Sequence, residues 1–193
     1  MIVGTILLAA GSARRMGEDK LLADLGGKPV IMHALETIGQ SGLAGPIVAV
    51  RPGSALSSLS FPTGALLAVV QDHAGGMGHS LAAAIREVPL SWDAAIVCLA
   101  DMPFVKPHTL LSLAEQSAAD KIVRPSFGGR PGNPVSWGRS HFVSLAALVG
   151  DQGGRAVFER YPVELLECGD PGVEIDIDTP EALAAARARS EVP

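Results

Sequence analysis

Six short apolar runs, separated by segments with helical periodicity, constrain the fold of this chain more than any other feature. The runs cover residues 3–9, 46–50, 65–70, 94–99, 122–124 and 163–166. Most of them are continuously apolar and do not alternate with polar residues, which is typical of strands covered on both faces of a sheet. We therefore predict six buried strands.

Helical patterns lie between these runs, at residues 29–38, 81–88, 109–119 and 181–189. Strands that alternate with helices predict an α/β fold, here a Rossmann-like three-layer α/β/α arrangement with a mostly parallel sheet. Residues 127–137 contain three glycines and two prolines, so we expect a loop and a short strand there. The length of 193 residues favours one domain spanning residues 1–193.

Composition excludes several classes of protein. The chain is 48% hydrophobic and 18% charged, which excludes intrinsic disorder, and its net charge of -5 argues against a general nucleic-acid binder. The first apolar run is shorter than the roughly 18 residues of a membrane span, and no basic residue precedes it as in a signal peptide. We expect a cytoplasmic protein without a membrane partner. Cys98 and Cys168 lack metal-ligand spacing and are predicted to be reduced core thiols.

The segment after the first predicted strand has the character of a phosphate-binding loop. The segment begins at Leu8, and the small residues Ala9, Ala10 and Gly11 that follow let a ligand lie directly on the backbone amides. Arg15 and Lys20 follow and add two cations. The segment matches neither the dinucleotide fingerprint nor the P-loop pattern. A glycine turn followed by a solvated basic stretch is the alternative interpretation.

Asp101 follows the fourth predicted strand directly and precedes Met102 and Pro103. Ligands of open α/β sheets bind beyond the carboxyl ends of the strands, so this carboxylate is a candidate ligand for Mg²⁺. The alternative is a loop residue that caps a helix.

A second pair of carboxylates, Asp176 and Asp178, lies near the end of the chain. Side chains two residues apart in an extended segment point to the same side, so one of the two is a candidate to join Asp101 on a metal ion. Because Asp178 precedes Thr179, Pro180 and Glu181, it is equally well suited to start a helix.

Three further glycine-rich segments carry candidate binding residues. Gly75, Gly76 and Ser80 open a predicted helix and offer donors to an anion or to the edge of a base. Asn133 belongs to the second segment, and Asp151 and Arg155 to the third. Each of these segments is also compatible with a simple turn. Arginines that recur in glycine-rich loops of an acidic chain indicate an anionic ligand.

Together these motifs resemble the nucleotidyltransferases of the molybdenum-cofactor type. The segment 8–20 is similar to that family's Leu-Ala-Ala-Gly-x-Ser-x-Arg-Met-Gly-x-x-Lys signature, with Ala13 in place of its serine. The other matching motifs follow in the family's order, at residues 76–80, 101–103, 132–135, 150–155 and 176–181. Ala10 stands where the guanylyltransferase branch has glycine, so the chain looks more like the cytidylyltransferase branch.

The resemblance implies a nucleotidyltransferase fold and transfer of CMP from CTP to the phosphate of molybdopterin cofactor, with release of pyrophosphate. It implies catalytic roles for Arg15, Lys20 and Asp101 and a Mg²⁺ ion on Asp101 and Asp178. Asn133, Asp151 and Arg155 would bind the acceptor, and the remaining candidates would bind the nucleotide: Leu8, Ala9, Ala10, Gly11, Gly75, Gly76 and Ser80. Transient contact with a molybdoenzyme or its chaperone would follow. The open alternatives are a guanylyltransferase, a nucleotidyltransferase for another small phosphate, and a non-catalytic carrier of the cofactor.

Overall fold

One mixed β-sheet carries the fold in the computed structural model, which describes residues 1–11, 20–151 and 153–190. The sheet contains eight of the described strands, which are β1 (Val3–Leu8), β4 (Ala44–Val50), β5 (Leu66–Val69), β6 (Ala94–Leu99), β7 (Ile122–Phe127), β8 (Arg130–Pro131), β9 (Val135–Gly138) and β10 (Glu164–Glu167). A separate hairpin joins β2 (Asp24–Leu25) to β3 (Lys28–Pro29).

The strand order is β10-β7-β9-β6-β1-β4-β5, with β8 paired to β7. The pairs β1–β4, β1–β6, β4–β5 and β7–β10 are parallel, whereas β9 is antiparallel to both β6 and β7. Six strands therefore run in one direction, and β8 and β9 run against them. The prediction of an α/β fold with a mostly parallel sheet is confirmed, and β9 is the short strand expected within residues 127–137.

Helices cover both faces of the sheet. Their bounds are α1 (Val30–Ser41), α2 (Met77–Arg86), α3 (Pro107–Gln116), α4 (Phe142–Ala146), α5 (Arg155–Phe158) and α6 (Pro180–Ser190). One core cluster contains buried residues of α1, α3 and α6, and the other contains residues of α2, α4 and α5. Strand β6 serves both clusters, because Ile96 packs into the first and Val97 into the second. This alternation is what a strand covered on both faces requires.

The short helices α4 and α5 were not predicted, because four or five residues are too few to show helical periodicity. Helix α2 begins at Met77, four residues before the predicted start, since glycines weaken the pattern there. Among the described residues, no helix is long and apolar enough to cross a membrane.

The two cysteines differ in their surroundings. Both are free thiols, and Cys98 is buried, where desolvation raises the pKa of its thiol to about 12. The prediction of a core position is wrong for Cys168, which is only partly buried because it follows β10 at the edge of the sheet.

Candidate active site

The candidate site lies at the carboxyl edge of the central strands. Leu8, near the end of β1, pairs with Ala49 of β4 and with Leu99 of β6. The pairing continues past the strand, since Ala9 N donates to Ala49 O at 2.9 Å and Ala100 N donates to Leu8 O at 3.2 Å. The segments that follow these three strands therefore leave the sheet side by side.

The predicted phosphate-binding loop begins at this edge. Ala9 and Ala10 are almost fully buried and fix the start of the loop. Gly11 is exposed, and no atom of the described residues lies within 4 Å of a Cβ added to it. The backbone at Gly11 is thus open to a ligand. Arg15 lies outside the described residues, and so do the other signature residues between 12 and 19.

Lys20 joins the two carboxylates that the sequence analysis singled out. Its Nζ donates to Asp101 Oδ2 at 2.6 Å and to Asp178 Oδ1 at 2.6 Å. The Lys20 side chain is 15% exposed, against 22% for Asp101 and 49% for Asp178. Burial pushes the pKa of Lys20 down, but attraction to Asp101 and Asp178 outweighs it, so the pKa lies above its usual value.

Backbone contacts explain why Asp101 and Asp178 meet across 77 positions of sequence. Asp101 lies in the turn directly after β6, and its carbonyl accepts a hydrogen bond from Ile177 N at 2.9 Å. The Ile177 side chain is fully buried in the core beneath the sheet edge. The residue before and the residue after Ile177 are exposed, so Asp178 is held at the surface beside Asp101.

Within the described part of the chain, neither Asp101 nor Asp178 caps a helix, which was the alternative interpretation of these two carboxylates. At the start of α6 the hydroxyl of Thr179 accepts from Ala182 N at 3.2 Å, which leaves Asp178 for Lys20. Helix α3 begins after Lys106 without a side-chain cap, and Asp101 is bound to Lys20 instead.

Asp176 contributes negative charge without joining the pair. Burial raises the pKa of Asp176, and repulsion from Asp178 and Asp101 raises it further, while Lys20 lowers it. Asp101 and Asp178 thus bind the ammonium group, whereas Asp176 interacts with it only through its charge. Within the described residues no group of three or more His, Cys, Asp or Glu side chains is arranged to hold a metal ion.

Two carboxylates that already share one cation form a set that fits a divalent metal. The Lys20 ammonium shows that Asp101 and Asp178 can approach the same positive charge. Mg²⁺ is commonly bound by one or two protein carboxylates, with water and phosphate oxygens completing the octahedron. The donor set therefore matches Mg²⁺ or Mn²⁺ in a nucleotide complex.

A second feature at the same edge is a contact between two glycine-rich loops. Gly78 N donates to Gly150 O at 2.8 Å, and a Cβ on Gly76 would lie 2.1 Å from Asp151 Oδ1 and 2.6 Å from the Gly150 carbonyl. Gly76 also has φ +108°, which side chains rarely adopt. Nearby, the Gly75 backbone packs on His79, and Ser80 is buried in the first turn of α2.

The three predicted acceptor-binding residues do not form one contact group among the described residues. Asp151 lies against Gly76, which was predicted to bind nucleotide. Asn133 N donates to Val173 O at 2.9 Å, in the turn before β9, and Arg155 is exposed at the start of α5. Pro134, which follows Asn133, and Met102, which follows Asp101, line one cavity.

Sequence reasoning missed one cation at this edge. Arg51 directly follows β4, two residues beyond the partner of Leu8, just as Asp101 lies two residues beyond the other partner. The two residues therefore lie on either side of the end of β1. The rule that pointed to Asp101 applies equally to the end of β4 and identifies Arg51 as well.

Comparison with known proteins identifies the family of this chain. Residues 5–165 match the model of the MobA-like NTP transferase domain. The purine catabolism protein PucB of Bacillus subtilis is 31% identical over 191 residues, which cover 91% of this chain and 91% of PucB.

Solved structures share the fold over almost the whole chain. Rv0371c of Mycobacterium tuberculosis is 27% identical with a TM-score of 0.89, and the match covers 97% of this chain and 98% of Rv0371c. A complex of Rv0371c with manganese is 26% identical with a TM-score of 0.84, and covers 97% and 99%. Molybdopterin-guanine dinucleotide biosynthesis protein A of Archaeoglobus fulgidus, 22% identical with a TM-score of 0.71 and coverage of 96% and 97%, supports the fold alone.

Proposed function

Since this chain belongs to the MobA-like NTP transferase family, we propose that it transfers CMP from CTP to the terminal phosphate of molybdopterin cofactor and releases pyrophosphate. The nucleotidyltransferase class comes from the family. The choice of CTP rests on Ala10, where the guanylyltransferase branch has glycine. The choice of molybdopterin as the acceptor rests on the motifs between residues 76 and 181, which occur in the order typical of the molybdenum-cofactor nucleotidyltransferases.

One observation carries the proposal: Lys20, Asp101 and Asp178 meet at the edge of the sheet where the segment containing Gly11 leaves β1. Nucleotidyl transfer between two anions requires charge neutralisation and in-line positioning more than it requires a nucleophilic side chain. A cation and two carboxylates next to a phosphate-binding loop supply these requirements. The manganese complex of Rv0371c supports a divalent metal at this fold.

In the proposed mechanism the amides around Ala10 and Gly11, with Arg15 and Lys20, hold the triphosphate. Leu8 and Ala9 set the start of that loop. Asp101 and Asp178 would hold Mg²⁺, which when bound supplies charge neutralisation and orientation of the phosphates. An acceptor phosphate oxygen attacks the α-phosphorus, a new P–O bond forms, and the bond to the pyrophosphate breaks. The acceptor oxygen is already anionic, so no general base is needed.

Three glycine-rich segments supply the remaining contacts in this proposal. Gly75, Gly76 and Ser80 take the base side, and Asn133, Asp151 and Arg155 take the acceptor side. The contact of Asp151 with Gly76 supports a boundary between the two substrates at this point.

The acceptor proposal draws support from PucB, which is named for purine catabolism. The family resemblance implies that the product passes to molybdoenzymes of the xanthine dehydrogenase class, and xanthine is a purine. We therefore propose transient contact with such an enzyme or with its chaperone.

The test is pyrophosphate release by the purified protein with molybdopterin, assayed with CTP, GTP, ATP and UTP, with and without Mg²⁺. We expect release with CTP, dependent on both Mg²⁺ and acceptor. Preference for GTP would assign the chain to guanylyl transfer, and turnover only with another phosphate acceptor would replace molybdopterin. Tight binding of cofactor without pyrophosphate release would indicate a carrier.

A further inference from the structure

Lys20 lies in the space that a metal ion on Asp101 and Asp178 would need. Its Nζ is 2.6 Å from one oxygen of each carboxylate, and its side chain is 15% exposed. Mg²⁺ sits about 2.1 Å from its oxygen ligands. An ion bound to the same two oxygens would therefore lie in contact with the ammonium group, and two positive charges at that separation repel strongly.

We propose that Lys20 is a reversible occupant of the metal site, and that the metal ion enters only when a triphosphate draws Lys20 away. Without nucleotide, the ammonium group neutralises Asp101 and Asp178 and holds them together. With nucleotide, phosphate oxygens take over Lys20 and at the same time complete the coordination of the metal.

This exchange makes metal and nucleotide bind cooperatively. Each ligand removes an obstacle to the other, and linkage requires the two effects to be equal in binding free energy. The site would therefore select the metal–nucleotide complex over the free metal ion. The role of the triphosphate rests on the proposed function, whereas the competition between Lys20 and the metal rests on geometry alone.

The test measures Mn²⁺ binding without nucleotide, by the electron paramagnetic resonance signal of the free aquo ion. We expect Lys20→Met and Lys20→Gln to bind Mn²⁺ at least about tenfold more tightly than the wild type, within the usual range of coupling between sites. Lys28→Met is the matched control, since Lys28 pairs with Glu36 away from the site, and it should bind Mn²⁺ like the wild type. Gln keeps a donor for the carboxylates, so it covers the case in which Met impairs folding.

A second set of measurements tests whether Mn²⁺ binds at Asp101 and whether nucleotide and Mn²⁺ bind cooperatively. Adding Asp101→Asn to Lys20→Gln should abolish the gain in Mn²⁺ affinity. Adding CTP should tighten Mn²⁺ binding more in the wild type than in Lys20→Gln. Unchanged or weaker Mn²⁺ binding by both Lys20 variants would overturn the proposal, and so would a gain that survives loss of Asp101. The first measurement contains no nucleotide. It therefore tests the competition between Lys20 and the metal ion even if CTP is not a substrate.

Discussion

The carboxylate pair and the glycine-loop contact lie at the same edge of the sheet, but different forces build them. Lys20, Asp101 and Asp178 are joined by charge, with an ammonium group between two partly exposed carboxylates. Gly76 and Gly78 meet Gly150 and Asp151 by close backbone approach, where a single added Cβ would collide.

The two regions therefore differ in what they contribute to activity and to stability. A charged cluster near solvent adds little to stability, because screening and desolvation offset the attraction, so its residues are free to serve chemistry. The glycine-loop contact leaves no room for a Cβ at Gly76 or Gly78, so it contributes to the stability of the fold. Substitutions in the first region should therefore reduce activity at nearly constant stability, whereas those in the second should reduce both.

Asp101→Ala should give the largest effect. We expect pyrophosphate release to fall by about a hundredfold or more, because a preorganised charge contact to the reacting phosphates is lost. The unfolding temperature should change little, since Asp178 still pairs with Lys20. Turnover assays and thermal unfolding of the same preparation check both parts. A large loss of stability would break the distinction between the two regions.

Gly76→Ala should lower stability by about 1–3 kcal/mol, because it forces an L side chain into a positive φ and against the Gly150 backbone. Chemical denaturation measures the free energy of unfolding. The matched control is Gly39→Ala in α1, where a Cβ meets open space and should stabilise by about 0.4–1 kcal/mol. Equal effects at both glycines would mean that the loop contact contributes nothing.

Asp178→Asn should raise the KM for Mg²⁺ roughly tenfold, in the range seen when the environment of a metal ligand is altered. The effect should be smaller than at Asp101, since Asp178 is 49% exposed and water can replace part of its contribution. Asp176→Asn serves as the comparison. A stronger effect at Asp176 would show that the metal prefers that carboxylate.

Glu167→Gln should have the smallest effect on stability and activity. It shows how much the loss of a charge matters outside the two regions compared above. Hydrogen bonds from Ser126 and from the amides of Gly128 and Gly129 lower the pKa of Glu167 below its usual value. Its contribution to stability is therefore present above about pH 4.5 and is lost as the pH falls through the lowered pKa. Thermal unfolding at pH 7 and pH 3 should show a small difference from the wild type that vanishes in acid, with activity at pH 7 unchanged.

All six predicted strands form, because a continuous apolar run of about six residues, such as 94–99, is too short for a typical buried helix and suits a strand. The prediction that all six are buried is wrong for β5 and β10, which lie at the two edges of the sheet and are mostly exposed. The location of Asp101 was predictable because the carboxyl ends of parallel strands share one edge. The direction of β9 was not predictable, since a four-residue strand has the same pattern in either orientation.

Pairings between distant segments escaped sequence reasoning for a physical reason. Alternation places Asp176 and Asp178 on one side but cannot choose between them, and only the contact with Lys20, 158 positions away, makes the choice. The glycine at position 76 was interpreted as a source of ligand-binding amides. Its steric need arises from Gly150 and Asp151, which no local pattern reveals.

The reversed direction of β9 has a consequence for how this scaffold diversifies. Val135 pairs with Val97, so β9 starts, and does not finish, beside the Asp101 turn. The turn at Asn133 thus approaches the edge that holds the candidate site from the opposite chain direction to the segments that follow β1 and β6. Under the proposed function, insertions or exchanges in this turn would change the acceptor side of the site, while β1, β4 and β6 would keep their register.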